Sequence, residues 1–229
     1  MSIDWQIQNA GEQSVIVYAD CSDLDKANAA ISQLHRQLVD STLPITSMVP
    51  SYQSLLVSYD SDVMPYLDLR ARIKALLPAE ALEDKGGRRL TVPVCYGAGD
   101  VCDLDAVAKS TGIAVDEVIA LHSETEYRVY AIGFAPGFAY MGSLDTRLQL
   151  PRMSTPRTAV PAGSLAIAES QTAIYPQASP GGWHILGQCA APVFTLQPSH
   201  QTIWKVGDRV RFEPVAQSEL AHVGISIDE

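Results

Sequence analysis

The sequence predicts an α+β protein in two parts, a small N-terminal α+β sandwich over residues 1–87 and a β-barrel over 88–229. Three observations carry that prediction. Apolar strands alternate with amphipathic helices up to about residue 83. The polar run Glu83-Asp84-Lys85-Gly86-Gly87-Arg88-Arg89 then breaks the pattern and marks a boundary. Beyond Tyr127 almost everything reads as short strand and tight turn.

Taken in order, residues 14–18 and 53–59 read as strands, and residues 23–39 form a helix. Leu24, Ala27, Ala30, Ile31, Leu34 and Leu38 make one stripe along it, and Ser22 or Asp23 caps its first turn. A second helix over 64–77 has Pro65 in its first turn, places Leu67, Leu69, Ile73, Leu76 and Leu77 on its apolar side, and stops before Pro78. The order strand, strand, helix, strand, strand, helix suits a two-layer sandwich. After the boundary, residues 90–96 read as a strand, Asp103 caps a helix through Lys109, and a further helix from Asp116 ends near His122, with Gly112 between the two. The alternating DRVRFEP run over 208–214 reads as the last, edge strand of a closed or nearly closed barrel.

The chain has 229 residues, 47% of them hydrophobic, enough for a real core. Its formal net charge of -10 argues against nucleic acid, because displacing counterions from phosphates needs a basic face. No window approaches a membrane span and the first residues lack a secretory pattern, so a cytoplasmic protein is expected. Cys21, Cys95, Cys102 and Cys189 form no CxxC pair and stand without a histidine cluster, so reduced thiols are expected and no metal site. Neither a GxxxxGK[ST] loop nor a GxGxxG turn after a strand is present, which removes both common nucleotide cradles.

Residues 133–187 are the most informative stretch, opening GFAPGFAYMG, running through PRMSTPRTAVPAGS and closing SPGGWHILG. They hold seven of the 15 glycines and six of the 14 prolines, interleaved with aromatics, the pattern of short strands joined by fixed corners rather than of a linker. Barrel corners alone explain such residues, and a ligand-facing surface explains them equally well. Gly181 and Gly182 after Pro180 expose consecutive amides that can hold an anionic oxygen. Arg152 and Arg157 lie in two Pro-Arg pairs five residues apart, a rigid presentation of planar forks suited to carboxylate or phosphate, although ordinary surface ion pairs would look the same. His122, at a helix C-terminus, is a general acid or base if it faces this surface, and the helix dipole otherwise accounts for it. Asp145 in GSLDTRL stands in the same balance. Gln171, Tyr175 and Trp183 can line a small-molecule pocket or serve as core. Ser164 and Ser179 lack a GxSxG elbow, so a serine hydrolase is not expected.

The run from LHSETEYRVY through SPGGWHILG resembles the family of bacterial 5-oxoprolinase B-type subunits, also described as allophanate hydrolase subunit 1 and as kinase A inhibitor-like proteins. The resemblance implies an N-terminal α+β domain and a cyclophilin-like barrel working with a homologous C-type subunit, in a heteromer, and with a separate A-type subunit. Together they open 5-oxo-L-proline to L-glutamate, with ATP and Mg2+ as co-substrate and no tightly bound cofactor. The run is also similar to part of the carboxyltransferase region of urea carboxylase. In that setting Arg152, Arg157, Gln171, Tyr175, Gly181 and Gly182 are expected to bind substrate or phosphate, and His122 and Asp145 to handle protons. The chain departs from the family pattern at Ala139, where proline is common, and at Glu169 and Ala173, where glycines are frequent. The alternatives are a component of an allophanate- or urea-type amide hydrolase, or an inhibitor of a sensor histidine kinase. The inhibitor would dock through an apolar patch of Phe134, Phe138, Tyr140 and Met141, a patch that would serve the C-type partner as well.

Overall fold

The computed structural model describes residues 3–78, 87–189, 192–195 and 201–228. Two compact units divide the chain, Met1–Gly86 and Gly87–Glu229. The first runs β1 (Asp4–Asn9), β2 (Ser14–Asp20), α1 (Leu24–Val39), β3 (Ile45–Ser51), β4 (Ser54–Tyr59) and α2 (Tyr66–Ala75). Its strands form an antiparallel sheet in the order β1-β2-β4-β3. Alternation sends Val15, Val17, Ala19, Leu55, Val57 and Tyr59 to one face, where they meet Ala27, Ile31, Leu34 and Leu38 of α1 and Leu69 and Ile73 of α2. Asp23 caps α1 by accepting the Lys26 amide at 3.1 Å. Leu67, expected on the apolar side of the second helix, is 71% exposed, and α2 buries only Leu69 and Ile73. The helix covers 66–75 rather than the expected 64–77, so Leu67 falls in its first turn, off a stripe too brief to include it.

The second unit contains β5 (Arg89–Tyr96), α3 (Leu104–Thr111), α4 (Val115–Ser123), β6 (Tyr127–Ile132), β7 (Ala139–Gly142), a 3-10 turn (Thr146–Leu148), β8 (Arg157–Val160), β9 (Ser164–Ala168), β10 (Gln171–Ile174), β11 (Ser179–Gly181), β12 (His184–Cys189), β13 (Phe194–Thr195), β14 (Gln201–Thr202), β15 (Arg209–Pro214) and β16 (Ser226–Asp228). Pairing runs β6-β15-β5-β12-β9-β10-β7 and returns from β7 to β6, which closes a seven-stranded barrel. The fold is therefore the α+β sandwich followed by a β-barrel that the sequence predicts. The 208–214 strand, however, is not an edge. β15 pairs parallel with β5 and antiparallel with β6, and β16 follows it on the other side of β5. Its alternation, with Val210 and Phe212 inward and Arg211 and Glu213 outward, is that of any strand with one wet face and so cannot separate edge from interior.

Several barrel strands are buried on both faces. Along β9, Leu165 and Ile167 enter the barrel core with Leu90, Val92, Val129, Met141 and Phe212, while Ala166 and Ala168 face a second cluster. That cluster holds Phe138, Val160, Ala173, Tyr175, Trp183 and Ile185, so the segments of 133–187 between the barrel strands fold back as an outer layer over β9, β10 and β12. β8 and β11 form a separate ribbon, with Arg157 opposite Gly181. Among the described residues no helix is long and apolar enough to cross a membrane.

Where β15 begins, Asp208 is nearly fully buried and accepts the Arg88 Nε at 3.2 Å, an Arg88 terminal nitrogen at 2.6 Å and the Lys205 amide at 2.7 Å. The same Arg88 nitrogen reaches the Ile203 carbonyl at 2.7 Å. Removing the carboxylate would leave a guanidinium and an amide short of an acceptor in a poorly solvated place. Asp208→Ala is expected to lower stability by about 3 kcal/mol in urea unfolding followed by tryptophan fluorescence. A loss below about 0.5 kcal/mol, the range of an ordinary surface change, would show that the pair is dispensable.

Candidate functional site

The outer layer over the barrel gathers most of the residues singled out in the sequence. Phe138 meets Tyr140, Tyr175 and Trp183 with ring centroids 4.9, 5.3 and 5.7 Å apart, edge to face in each case. Small residues beneath, Ala166, Ala168 and Ala173, leave room for these rings. Arg152 lies over the Trp183 ring, its guanidinium carbon 5.9 Å from the centroid, with its side chain 56% exposed. Its nearest carboxylate is Glu169, at 3.7 Å and similarly exposed. The result is a packed aromatic layer, its Phe138, Tyr175 and Trp183 buried, with one solvent-facing guanidinium on its outer side that can meet a carboxylate.

Arg157 has a different role. Its guanidinium pairs with Asp103 at 2.5 Å and also donates to the Trp183 carbonyl at 3.3 Å and to the Met153 sulfur. Asp103 does not cap α3 through its side chain, as the sequence suggested. Its second oxygen accepts the Ile185 amide at 2.7 Å, and its own amide donates to the Ile185 carbonyl at 2.7 Å. Arg157 is thus engaged in holding the layer together, with the guanidinium that the sequence offers to an anion directed at Asp103 instead. Local sequence could not show this, because the two partners are 54 residues apart.

His122 is engaged as well. It is fully buried, with Nδ1 2.7 Å from the Tyr96 hydroxyl and Nε2 2.9 Å from the Thr172 hydroxyl. Thr172 donates onward to the Ala166 carbonyl at 3.1 Å, so the network assigns the ring proton to Nε2, and Tyr96 donates to Nδ1. The ring packs on Tyr127 and Phe212. Burial lowers its pKa to about 3, which outweighs the helix dipole and keeps it neutral. A histidine sealed among β5, β6, β10 and β15 is a core strut rather than a proton shuttle.

Asp145 sits outside the layer. It opens the 3-10 turn, accepts the Arg147 amide at 2.9 Å and pairs with the Arg147 side chain at 3.0 and 3.1 Å, while Arg147 also reaches Glu117 of α4 at 3.1 Å. Hydrogen bonds from Arg147 lower its pKa, so it stays an ionised surface carboxylate. Arg147, the partner that explains it, follows two residues later in the same GSLDTRL loop.

Tyr175 is nearly fully buried, and burial raises its phenol, against Arg152 and Arg157, which lower it. Tyr140, half-buried, is raised by burial in the same way, with Arg152 opposing. Both therefore present neutral hydroxyls. Gly181 is required by Tyr175, since a Cβ there would stand 2.1 Å from its hydroxyl, whereas one at Gly182 would meet nothing closer than 3.5 Å. The Gly182 carbonyl accepts the Met153 amide at 2.7 Å. Packing thus accounts for Gly181 without any bound anion. Gln171 begins β10, half-buried and opposite Ala168. Glu169 has φ 55°, a left-handed conformation natural to glycine, and its amide donates to the Leu150 carbonyl at 2.7 Å.

The apolar patch proposed for docking is smaller than expected. Phe138 and Met141 are buried, Tyr140 is half-buried, and Phe134 alone of the four stands out, 67% exposed with φ 71°. Alternation sends Met141 into the barrel core, and the aromatic cluster takes Phe138. Among the described residues no group of three or more His, Cys, Asp or Glu side chains is placed to hold a metal ion.

Comparison with known proteins gives one consistent family. The carboxyltransferase domain, subdomain C and D, matches residues 5–204. The chain is similar to the B subunit of 5-oxoprolinase from Bacillus subtilis, 30% identical over 96% of both chains. It is also similar to the same protein of Escherichia coli O157:H7, 35% identical over 89% of this chain and 93% of that one, and of Haemophilus influenzae, 40% identical over 77% and 82%. Among solved structures it resembles TTHA0988, with a TM-score of 0.78 and 34% identity over 89% of this chain, although it spans only 40% of that longer one. The urea amidolyase of Kluyveromyces lactis shares the fold, with a TM-score of 0.73 and 16% identity, over 98% of this chain and 16% of that one.

Two measurements test this description. Gly181→Ala is expected to cost about 1–3 kcal/mol of stability through overpacking against Tyr175, while Gly182→Ala changes it by less than about 0.5 kcal/mol. Equal effects in thermal melting would contradict the packing. For His122 the folded pKa lies below the unfolded 6.5, so the unfolded chain binds the proton first and stability falls as pH drops from 6.5 towards 3. Wild-type protein should therefore lose about 2 kcal/mol more than His122→Gln between about pH 7.5 and about pH 5, and parallel stability curves would place the imidazole in solvent.

Proposed function

The chain belongs to the family of 5-oxoprolinase B-type subunits, built on carboxyltransferase-type C and D subdomains, and we propose that it works as the B component of an ATP-dependent hydrolase that opens 5-oxo-L-proline to L-glutamate. The observation that carries this reading is the likeness to three such proteins over 77–96% of the chain. The geometry supports it. A lactam carrying one carboxylate is small, planar and singly charged, and it matches a single exposed guanidinium on the outer side of an aromatic layer.

In this role Arg152 orients the substrate carboxylate, half-buried Tyr140 flanks the ring, and Trp183, Tyr175 and Asp103 with Arg157 keep that surface fixed. ATP supplies the activation that a poorly electrophilic lactam needs. Among the described residues the exposed guanidinium of the face lies beside Glu169, which weakens it for a polyphosphate, and no group of three or more His, Cys, Asp or Glu side chains is placed to hold a metal ion. Nor do His122 and Asp145 provide the proton transfers, since His122 is sealed and Asp145 is held by Arg147. We assign nucleotide, magnesium and general acid or base to the A-type and C-type partners. Phe134, bulky, exposed and stacked on Phe138 at 5.4 Å, is the contact offered to the C-type partner. The cytoplasm, where ATP is available, is the compartment this role requires.

Glutamate release from 5-oxoproline by the purified chain reconstituted with its C-type and A-type partners, with and without ATP, tests the proposal. The complex is expected to turn over only with ATP and the isolated chain not at all. Arg152→Gln should lower kcat/KM by about 10- to 100-fold, mainly through KM, as loss of one charge-assisted contact implies. No ATP-dependent glutamate from the full complex would overturn the assignment.

A further inference from the structure

Glu169 is not accounted for by packing. It occupies the turn between β9 and β10 with φ 55°, where a side chain is disfavoured, yet this turn holds a charged residue with its side chain 61% exposed. Its amide is fixed by the Leu150 carbonyl at 2.7 Å, which ties the turn to the segment that carries Arg152. The carboxylate stands 3.7 Å from the Arg152 Nε, within electrostatic reach but beyond hydrogen-bond length, so it acts on the guanidinium without consuming its donors. Arg152 in turn lies over Trp183. The positive group over the aromatic ring therefore has a negative group beside it.

We propose that Glu169 sets the charge class of ligand that this face accepts. It admits a molecule with one carboxylate for Arg152 and an adjacent N–H for the Glu169 oxygen, and it rejects molecules with a second anionic group. The inference rests on the substrate reading above and sharpens it, because a lactam acid has that pair of groups whereas a dicarboxylate or a phosphate chain brings a second negative charge against Glu169. The selection is electrostatic, so it weakens as salt rises.

Binding of 5-oxo-L-proline and of glutarate to the full chain, measured by calorimetry for wild type, Glu169→Gln and Arg152→Gln, provides the test. Glu169→Gln removes the charge but keeps an acceptor and the shape. It is expected to tighten glutarate about fivefold or more at low salt and to weaken 5-oxoproline, whose N–H then meets a neutral acceptor. Arg152→Gln is expected to weaken both. Thermal melting of each variant separates a folding defect from a binding one, and Glu169→Gly, which relieves the left-handed backbone, should reproduce the gain for glutarate. An unchanged glutarate to 5-oxoproline ratio in folded Glu169→Gln, or no binding of either probe to any variant, would overturn the proposal. The two readings fail separately. A reconstituted complex that makes glutamate while the ratio stays fixed rejects the role of Glu169 alone, and a shifted ratio without glutamate formation rejects the substrate instead.

Discussion

The Asp103 carboxylate is the interaction on which the outer layer depends. One oxygen takes the Arg157 guanidinium and the other takes the Ile185 amide, so a single side chain joins the start of α3, the ribbon of β8 and β11, and the barrel strand β12. Arg157 extends the tie to the Trp183 carbonyl and the Met153 sulfur. Both side chains are largely shielded from water, at 22% and 11% exposed, where an ion pair is stronger and an unpaired charge more costly than at the surface. The aromatic layer and Arg152 hang from this tie, because Arg157 holds the Trp183 backbone and Met153, the residue next to Arg152, while Arg152 lies on the Trp183 ring. Local order in a turn-rich segment thus comes from one charge pair between distant residues, not from the prolines alone.

The second constraint is volume. Strands β9 and β10 have protein on both faces, and their inward residues are large, Leu165, Ile167 and Ile174, while their outward ones are small, Ala166, Ala168 and Ala173. That asymmetry makes room for Phe138, Tyr175 and Trp183 to lie on the barrel wall. Gly181 completes the fit where the ribbon passes the Tyr175 hydroxyl. The same alternation explains why Met141 and Phe138, close to exposed Phe134 in the sequence, are withdrawn from any docking surface. A run rich in aromatics is not a sticky patch when its period matches a strand with two buried faces.

Much of the fold could be read from sequence, and the site much less. The helix over 24–39 and its Asp23 cap follow from local periodicity and one side-chain acceptor, information carried within a few residues. The barrel follows from turn spacing. What misled were residues whose partners are remote. Asp103 reads as a helix cap because nothing nearby announces Arg157, and His122 reads as a titrating helix terminus because Tyr96 and Thr172 come from other strands. Arg152 and Arg157 look alike in their Pro-Arg pairs, yet one is 56% and the other 22% exposed, a difference made by tertiary contacts. Glu169 marks the opposite case. Its departure from the glycine frequent in the family pattern is visible in the sequence, and the left-handed backbone shows why glycine suits the position.

These observations bear on why such a domain works with partners. A chain of net charge -10 that spends Arg157 on structure and sets Glu169 against Arg152 has little positive field left for a polyphosphate. Solved structures with the same fold place it inside much longer chains, of which it covers 40% and 16%. One exposed guanidinium with a carboxylate beside it suits a small monoanion, whereas a polyphosphate calls for several cations, so the two ligands demand different densities of positive charge.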